Sequence, residues 1–133
     1  MPKTYREVFE LNSFKFLTWL EETFPIVLVD DIRTIEDMES AAKQMINLSR
    51  QYAYITEVLA RARIYCRGLK RIVDKDAPET KEMYEDMVDK RDAIENRMKA
   101  IQQAYSGISR AVTVRMENNN ELKMGGNKYV HMT

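Results

Sequence analysis

The chain has 133 residues, of which 44% are hydrophobic, 32% charged and 9% aromatic, with 21 basic and 21 acidic side chains. That balance is too apolar for a disordered chain and too charged for a membrane-embedded one, and four Gly with three Pro leave too few turns for a β-sandwich or barrel. A single Cys (Cys66) excludes an internal disulfide framework, and a single His (His131) excludes most histidine-based metal sites and catalytic triads.

Residues 1–29 read as one or two short helices ended by Pro25, with Ile26 to Val29 as a short extended link. All four Phe and the only Trp lie in this segment. Such an aromatic surface suits covering one end of a longer structure or docking on another chain, and Phe14, Phe16, Trp19 and Phe24 are its candidate partner-binding residues. The start reaches Arg6 and Glu7 without an apolar leader core, and the longest apolar run is Ile26-Val27-Leu28-Val29. With a lone thiol, the expected setting is the cytoplasm, without a membrane span.

The first long helix is predicted over residues 34–73. Thr34 with Asp37 has the spacing of a capping box. Apolar or small residues then recur in steps of three and four, at Ile35, Met38, Ala42, Met45, Ser49, Tyr52, Thr56, Leu59, Ala62, Cys66, Leu69 and Val73. At 1.5 Å per residue this rod spans roughly 60 Å. The break falls at Asp74-Lys75-Asp76-Ala77-Pro78, where Asp76 is suited to cap a new helix and Pro78 to sit in its first turn.

A second helix is predicted over residues 77–117, with a seam of Tyr84, Met87, Arg91, Ile94, Met98, Ile101, Tyr105, Ile108, Val112 and Arg115. Gly107 is the weak spot, implying either a bend or a close neighbouring backbone. Residues 118–133, with Asn118-Asn119-Asn120 and Gly125-Gly126, carry no periodicity and read as a flexible tail behind one helical domain of residues 1–117. The predicted fold is all-α: a long antiparallel, coiled-coil-like hairpin with a short N-terminal helical segment. Its apolar edge exceeds what that segment can cover, so self-association into a homo-oligomer is expected.

The zero net charge hides blocks. Residues 1–40 carry a net −5, 41–75 a net +6, 76–98 a net −4 and 99–133 a net +3. Folding back between residues 75 and 76 lays the Arg63/Arg67/Lys70 stripe near the Glu82/Glu85/Asp89/Asp92 stripe, so the two are expected to flank the seam and select the antiparallel register.

Catalysis has little to work with. Glu82/Glu85 and Glu36/Glu39 have the i, i+3 spacing of helical metal sites, but no Glu-x-x-His accompanies them. Magnesium held by carboxylates alone is the residual possibility, against ordinary ion pairing. Cys66 lies on the apolar stripe as a small hydrophobe, and the chain has neither a phosphate loop nor a dinucleotide turn. The expectation is a non-enzyme without cofactor or metal. The helix from Arg50 to Arg71 interleaves Arg with Tyr as a single-strand groove does, although the acidic mirror argues for simple neutralisation.

The order of features resembles a known family. Val29-Asp30 precedes a Thr-x-x-x-x-Glu-x-Ala-Ala opening (Thr34 to Ala42), then comes Leu48-Ser49-Arg50-Gln51-Tyr52, a long charged helix, and a late break at Tyr105-Ser106-Gly107-Ile108-Ser109-Arg110. Over residues 29–117 this layout resembles the recombination mediators of T4-type phages, the UvsY family, and more loosely the small helical accessory proteins that phages encode, including inhibitors of host factors. The resemblance implies a non-catalytic oligomer that binds single-stranded DNA and a recombinase in the host cytoplasm. Carried over by position, it implies DNA-facing roles for Lys43, Arg50, Arg61, Arg63, Arg67, Arg110 and Arg115. The alternative is a protein–protein interaction or structural role with no nucleic acid, through the aromatic N-terminus or the Met-rich seam.

Overall fold

The computed structural model describes residues 2–29 and 31–132, with side chains through Asn118; Asp30 and Thr133 lie outside the described residues. Four helices follow in chain order: α1 (Tyr5–Phe9), α2 (Ser13–Thr23), α3 (Ile35–Arg71) and α4 (Pro78–Met132). No strand occurs among the described residues, and α3 and α4 pack along each other as the expected all-α hairpin.

Local chemistry sets the boundaries. Thr4 and Asn12 cap α1 and α2 by accepting from Glu7 N and Lys15 N. At α3 the capping box is complete: Thr34 Oγ1 accepts from Asp37 N at 3.1 Å, and Asp37 Oδ2 accepts from Thr34 N at 3.0 Å and Arg33 N at 2.9 Å. Those backbone donors hold the Asp37 carboxyl below its ordinary range. Its contribution is therefore present above the unfolded-state value and fades as pH falls through the lower folded one. Thr34→Ala is expected to destabilise the protein by about 1 kcal/mol, read as a lower midpoint in urea unfolding.

The turn is centred where expected, with Asp74 bridging to Ala77. Pro78 opens α4, but Asp76 is not its cap. Instead Thr80 Oγ1 accepts from Asp74 N at 2.9 Å and donates to Ala77 O at 2.6 Å, closing the corner. The helix then runs through Gly107, where an added Cβ would meet nothing within 4 Å, so no backbone approaches there. It also continues through residues 118–132, where the sequence reading expects an aperiodic tail. No proline interrupts that stretch, and each interior Gly costs a helix only about 1 kcal/mol.

The core follows two strict sevens. Ala41, Leu48, Ile55, Ala62 and Leu69 of α3 are buried against Met87, Ile94, Ile101 and Ile108 of α4. Beside them each helix has two flanks. One flank, with Gln51, Val58, Lys90, Arg97 and Ala104, lies under α1, α2 and the link that follows them. The other, with Met45, Tyr52, Leu59 and Cys66 on α3 and Tyr84, Arg91, Met98 and Tyr105 on α4, has no element over it among the described residues.

This corrects the predicted seam in the first half of α3. Ile35, Ala42, Ser49 and Thr56 are exposed, and Ala41, Leu48 and Ile55 are buried one position earlier. The true phase includes Gln44 and Gln51, whose polarity steers an apolar count toward the open flank.

The covered flank is polar because it fastens the N-terminal segment by its carbonyls. Lys90 Nζ donates to Phe9 O at 2.8 Å, to Leu11 O at 2.5 Å and to Asp86 Oδ2 at 2.7 Å. Arg97 donates to Phe24 O from Nη2 at 2.7 Å and from Nε at 3.0 Å, and Gln51 Nε2 donates to Pro25 O at 2.8 Å. Phe9 and Phe24 are at helix ends, where carbonyls have no intrahelical donor, and Leu11 and Pro25 lie in the connections just beyond. Phe16 and Phe24 are fully buried and Trp19 is half-buried, its ring tilted against Phe16 at 6.0 Å and edge-on to Phe24 at 6.1 Å. Three of the four aromatic residues expected to bind a partner are therefore docking the segment onto its own hairpin. Only Phe14, at 80% exposure, faces solvent.

Candidate anion-binding face

The expected neutralisation of the two charged stripes does not occur. Among the described residues the ion pairs are local, such as Lys81–Glu85 at 3.8 Å and Arg91–Asp92 at 3.2 Å, and none joins α3 to α4. Helical phase explains this. At about 100° per residue, Glu82, Glu85, Asp89 and Asp92 lie roughly 120–180° round α4 from Ile94, on its outer side. Counted from the adjacent core residues Ala62 and Leu69, Arg63 and Lys70 lie about 80–120° round α3 and Arg67 about 140–160°, all three toward the open flank.

There they line a groove of about 400 Å³ between the helices, together with Cys66, Tyr84, Arg91 and Glu95. Three cations of α3 thus face Arg91 of α4, with Glu95 as the carboxylate on the α4 wall. Asp92 accepts from Arg91 Nε and Nη2, which raises the Arg91 pKa. Cys66 forms part of the floor. Burial pushes its thiol up, with Arg91 pulling the other way, so it is a packing residue and not a nucleophile poised at neutral pH.

Farther from the turn on the same face lies a second hollow, of about 510 Å³, lined by Leu48, Ser49, Tyr52, Ile101, Gln102, Tyr105 and Ser106. It shares Gln102 and Ser106 with a groove that also holds Lys99 and Arg110. That groove in turn shares Gly107 and Arg110 with one bounded by Arg33 and Arg115, where Arg115 Nη2 donates to Arg33 O at 3.0 Å. Cationic and aromatic positions thus recur along the open face, and from the tyrosine hollow a band of linked grooves continues round α4.

Comparison with protein-family models, curated proteins and solved structures finds no match. Fold and site rest on this chain's own residues.

Of the seven basic residues implied by the resemblance, the structure brings Arg63 and Arg67 together and places Arg110 and Arg115 on the continuing band. Lys43, Arg50 and Arg61 are exposed on the opposite side of α3, and Arg61 lies over the Tyr5 ring at 5.5 Å. Lys70 and Arg91 line the first groove and Lys99 the band, without being singled out as site residues. Arg91 is read from periodicity as a seam residue, and the seven-residue spacing of Met87, Ile94, Ile101 and Ile108 is the signal that moves it to the flank. Among the described residues no group of three carboxylate, thiol or imidazole side chains is placed to hold a metal, and no helix is long and apolar enough to cross a membrane.

Proposed function

We propose that the protein is a non-catalytic, self-associating helical accessory protein whose open hairpin face binds single-stranded DNA, in the role that the resemblance to T4-type recombination mediators implies, with a recombinase as its protein partner. One observation carries the reading: Arg63, Arg67 and Lys70 of α3 line a common groove with Arg91 of α4, and among the described residues no ion pair engages the three α3 cations. A row of cations without ion-pair partners among the described residues, here Arg63, Arg67 and Lys70, near tyrosines is what a single strand requires, because phosphates need charge and unpaired bases need stacking surfaces. Duplex DNA is a poorer match, since its bases are already stacked.

Fluorescence anisotropy with a labelled oligothymidylate tests this. Engaging about four phosphates predicts roughly a fifty-fold loss of affinity between about 50 and 200 mM salt. The triple variant Arg63→Glu, Arg67→Glu, Lys70→Glu abolishes binding at the lower salt, while Lys43→Glu, Arg50→Glu, Arg61→Glu on the far side of α3 leaves most of it. Absence of binding at low salt, indifference to salt, or equal loss in the two triples sinks the reading.

A second reading has its own observation. Phe14 and Leu17 on α2 are exposed apolar side chains, 80% and 48% accessible, and suit a protein partner without nucleic acid. Deleting residues 1–24 cannot distinguish the two, because that removes the core residues Phe16 and Phe24; point changes at Phe14 and Leu17 can.

A further inference from the structure

The hollow between Leu48 and Ser106 is not explained by phosphate binding. Its floor is apolar, formed by the fully buried Leu48 and Ile101. One tyrosine stands on each helix beside it, Tyr52 at 37% and Tyr105 at 38% exposure, so both rings keep accessible surface. Gln102 Nε2 donates to the Tyr52 hydroxyl at 3.0 Å, which ties the two walls together and steadies one ring. The Ser49 and Ser106 hydroxyls and the exposed Gln102 amide supply hydrogen-bonding groups at the rim.

We propose that this hollow is a base-binding subsite, which takes an unpaired nucleobase of the strand against Tyr52 and Tyr105. The inference rests on the single-strand reading above and deepens it. An apolar floor with two phenol rings matches the flat, weakly polar face of a base, and the serine and glutamine groups match its hydrogen-bonding edge. Position supports the same occupant. Lys99 and Arg110 line the groove that shares Gln102 and Ser106 with the hollow, so a phosphate joined to the bound base has cations beside it. Toward the turn, Arg63 lies 11 residues from Tyr52 along α3, about 16 Å at the helical rise, and holds the strand farther along the same face. A purely apolar ligand would make no use of those cations. A duplex would have no free base to offer.

The test compares two polyanions of equal length, oligothymidylate and an abasic oligodeoxynucleotide, on the full-length protein by anisotropy at low salt. Tyr52→Ala with Tyr105→Ala is expected to weaken oligothymidylate binding about ten-fold or more, and to leave abasic-strand affinity within two-fold or so. Tyr52→Phe with Tyr105→Phe keeps the rings and is expected to retain most of the affinity for oligothymidylate, which separates stacking from any general loss of fold. Loss of both strands together in the alanine pair, or loss of neither, overturns the subsite. If it is overturned while the arginine triple still abolishes binding, the single-strand reading stands without it. If the unaltered protein binds neither strand, both proposals fall. Retained strand binding in the alanine pair together with lost self-association in light scattering overturns the subsite in favour of a protein contact.

Discussion

Replacing Lys90 with methionine is expected to cost about 3 kcal/mol and to release the N-terminal helices from the hairpin. Lys90 is 4% exposed, and its Nζ reaches three acceptors: the carbonyls of Phe9 and Leu11 and the carboxylate of Asp86. A lysine ammonium has three donors, so the group is fully satisfied. Methionine fills similar volume but leaves two carbonyls beneath the N-terminal segment without a donor, at roughly 1–3 kcal/mol each where water cannot reach. Asp86 is half-exposed and can be solvated, which keeps the total below that of a fully buried ion pair. Urea unfolding measures the cost. Hydrogen exchange shows its location, with faster exchange expected in α1 and α2 and little change in the middle of α3. Lys81→Met is the control, because its pair with Glu85 is exposed and 3.8 Å long, and it is expected to change stability by less than about 0.5 kcal/mol. Similar costs for the two variants would mean that Lys90 does not fasten the segment.

The second large effect separates core aromatics from surface aromatics within one short segment. Phe24→Ala is expected to cost about 3–5 kcal/mol. The ring is wholly buried, meets Trp19 edge-on at 6.1 Å and lies 5.2 Å from Tyr54 of α3. A cavity there also unsettles the Phe24 carbonyl that receives both donors of Arg97. Given the usual stability of a small domain, about 5–15 kcal/mol, that is a large share. Phe14→Ser, at the exposed position, is expected to stay within about 0.5 kcal/mol of the parent. Trp19 fluorescence reports both: the Phe24 variant shifts it to the red as water gains access, and the Phe14 variant leaves it unchanged. If Phe14→Ser abolishes capture of a recombinase or other partner while the melt is unchanged, the outer face of α2 is the partner surface.

The zero net charge gains a physical meaning from the phase of the two helices. Equal numbers of opposite charges suggest internal pairing, yet the acidic stripe of α4 and the basic stripe of α3 point in different directions. Charges separated by more than a Debye length, about 8 Å in physiological salt, neutralise each other poorly. A polyanion approaching the open face meets Arg63, Arg67, Lys70 and Arg91, with Glu95 among them. Salt dependence, and not net charge, is therefore the quantity that tests the proposed strand binding.

Much of the fold was readable from residue order because its causes are local. Thr34 and Asp37 sit three residues apart and bond reciprocally wherever a helix starts there, and Pro78 cannot continue a preceding helix, so the two long helices and the corner between them follow from short-range chemistry. What lies beside the seam was not readable in that way. Gln51, Lys90 and Arg97 look like surface residues in sequence and become interior ones only because the carbonyls of Pro25, Phe9, Leu11 and Phe24 arrive over them from the far end of the chain. That contact, invisible to periodicity, decides which flank is covered by the N-terminal segment. It thereby decides that Phe16 and Phe24 are core and that the arginines and tyrosines stand on the open side. Spacing along a helix fixes which residues share a line, but only packing against a distant segment selects which line is buried.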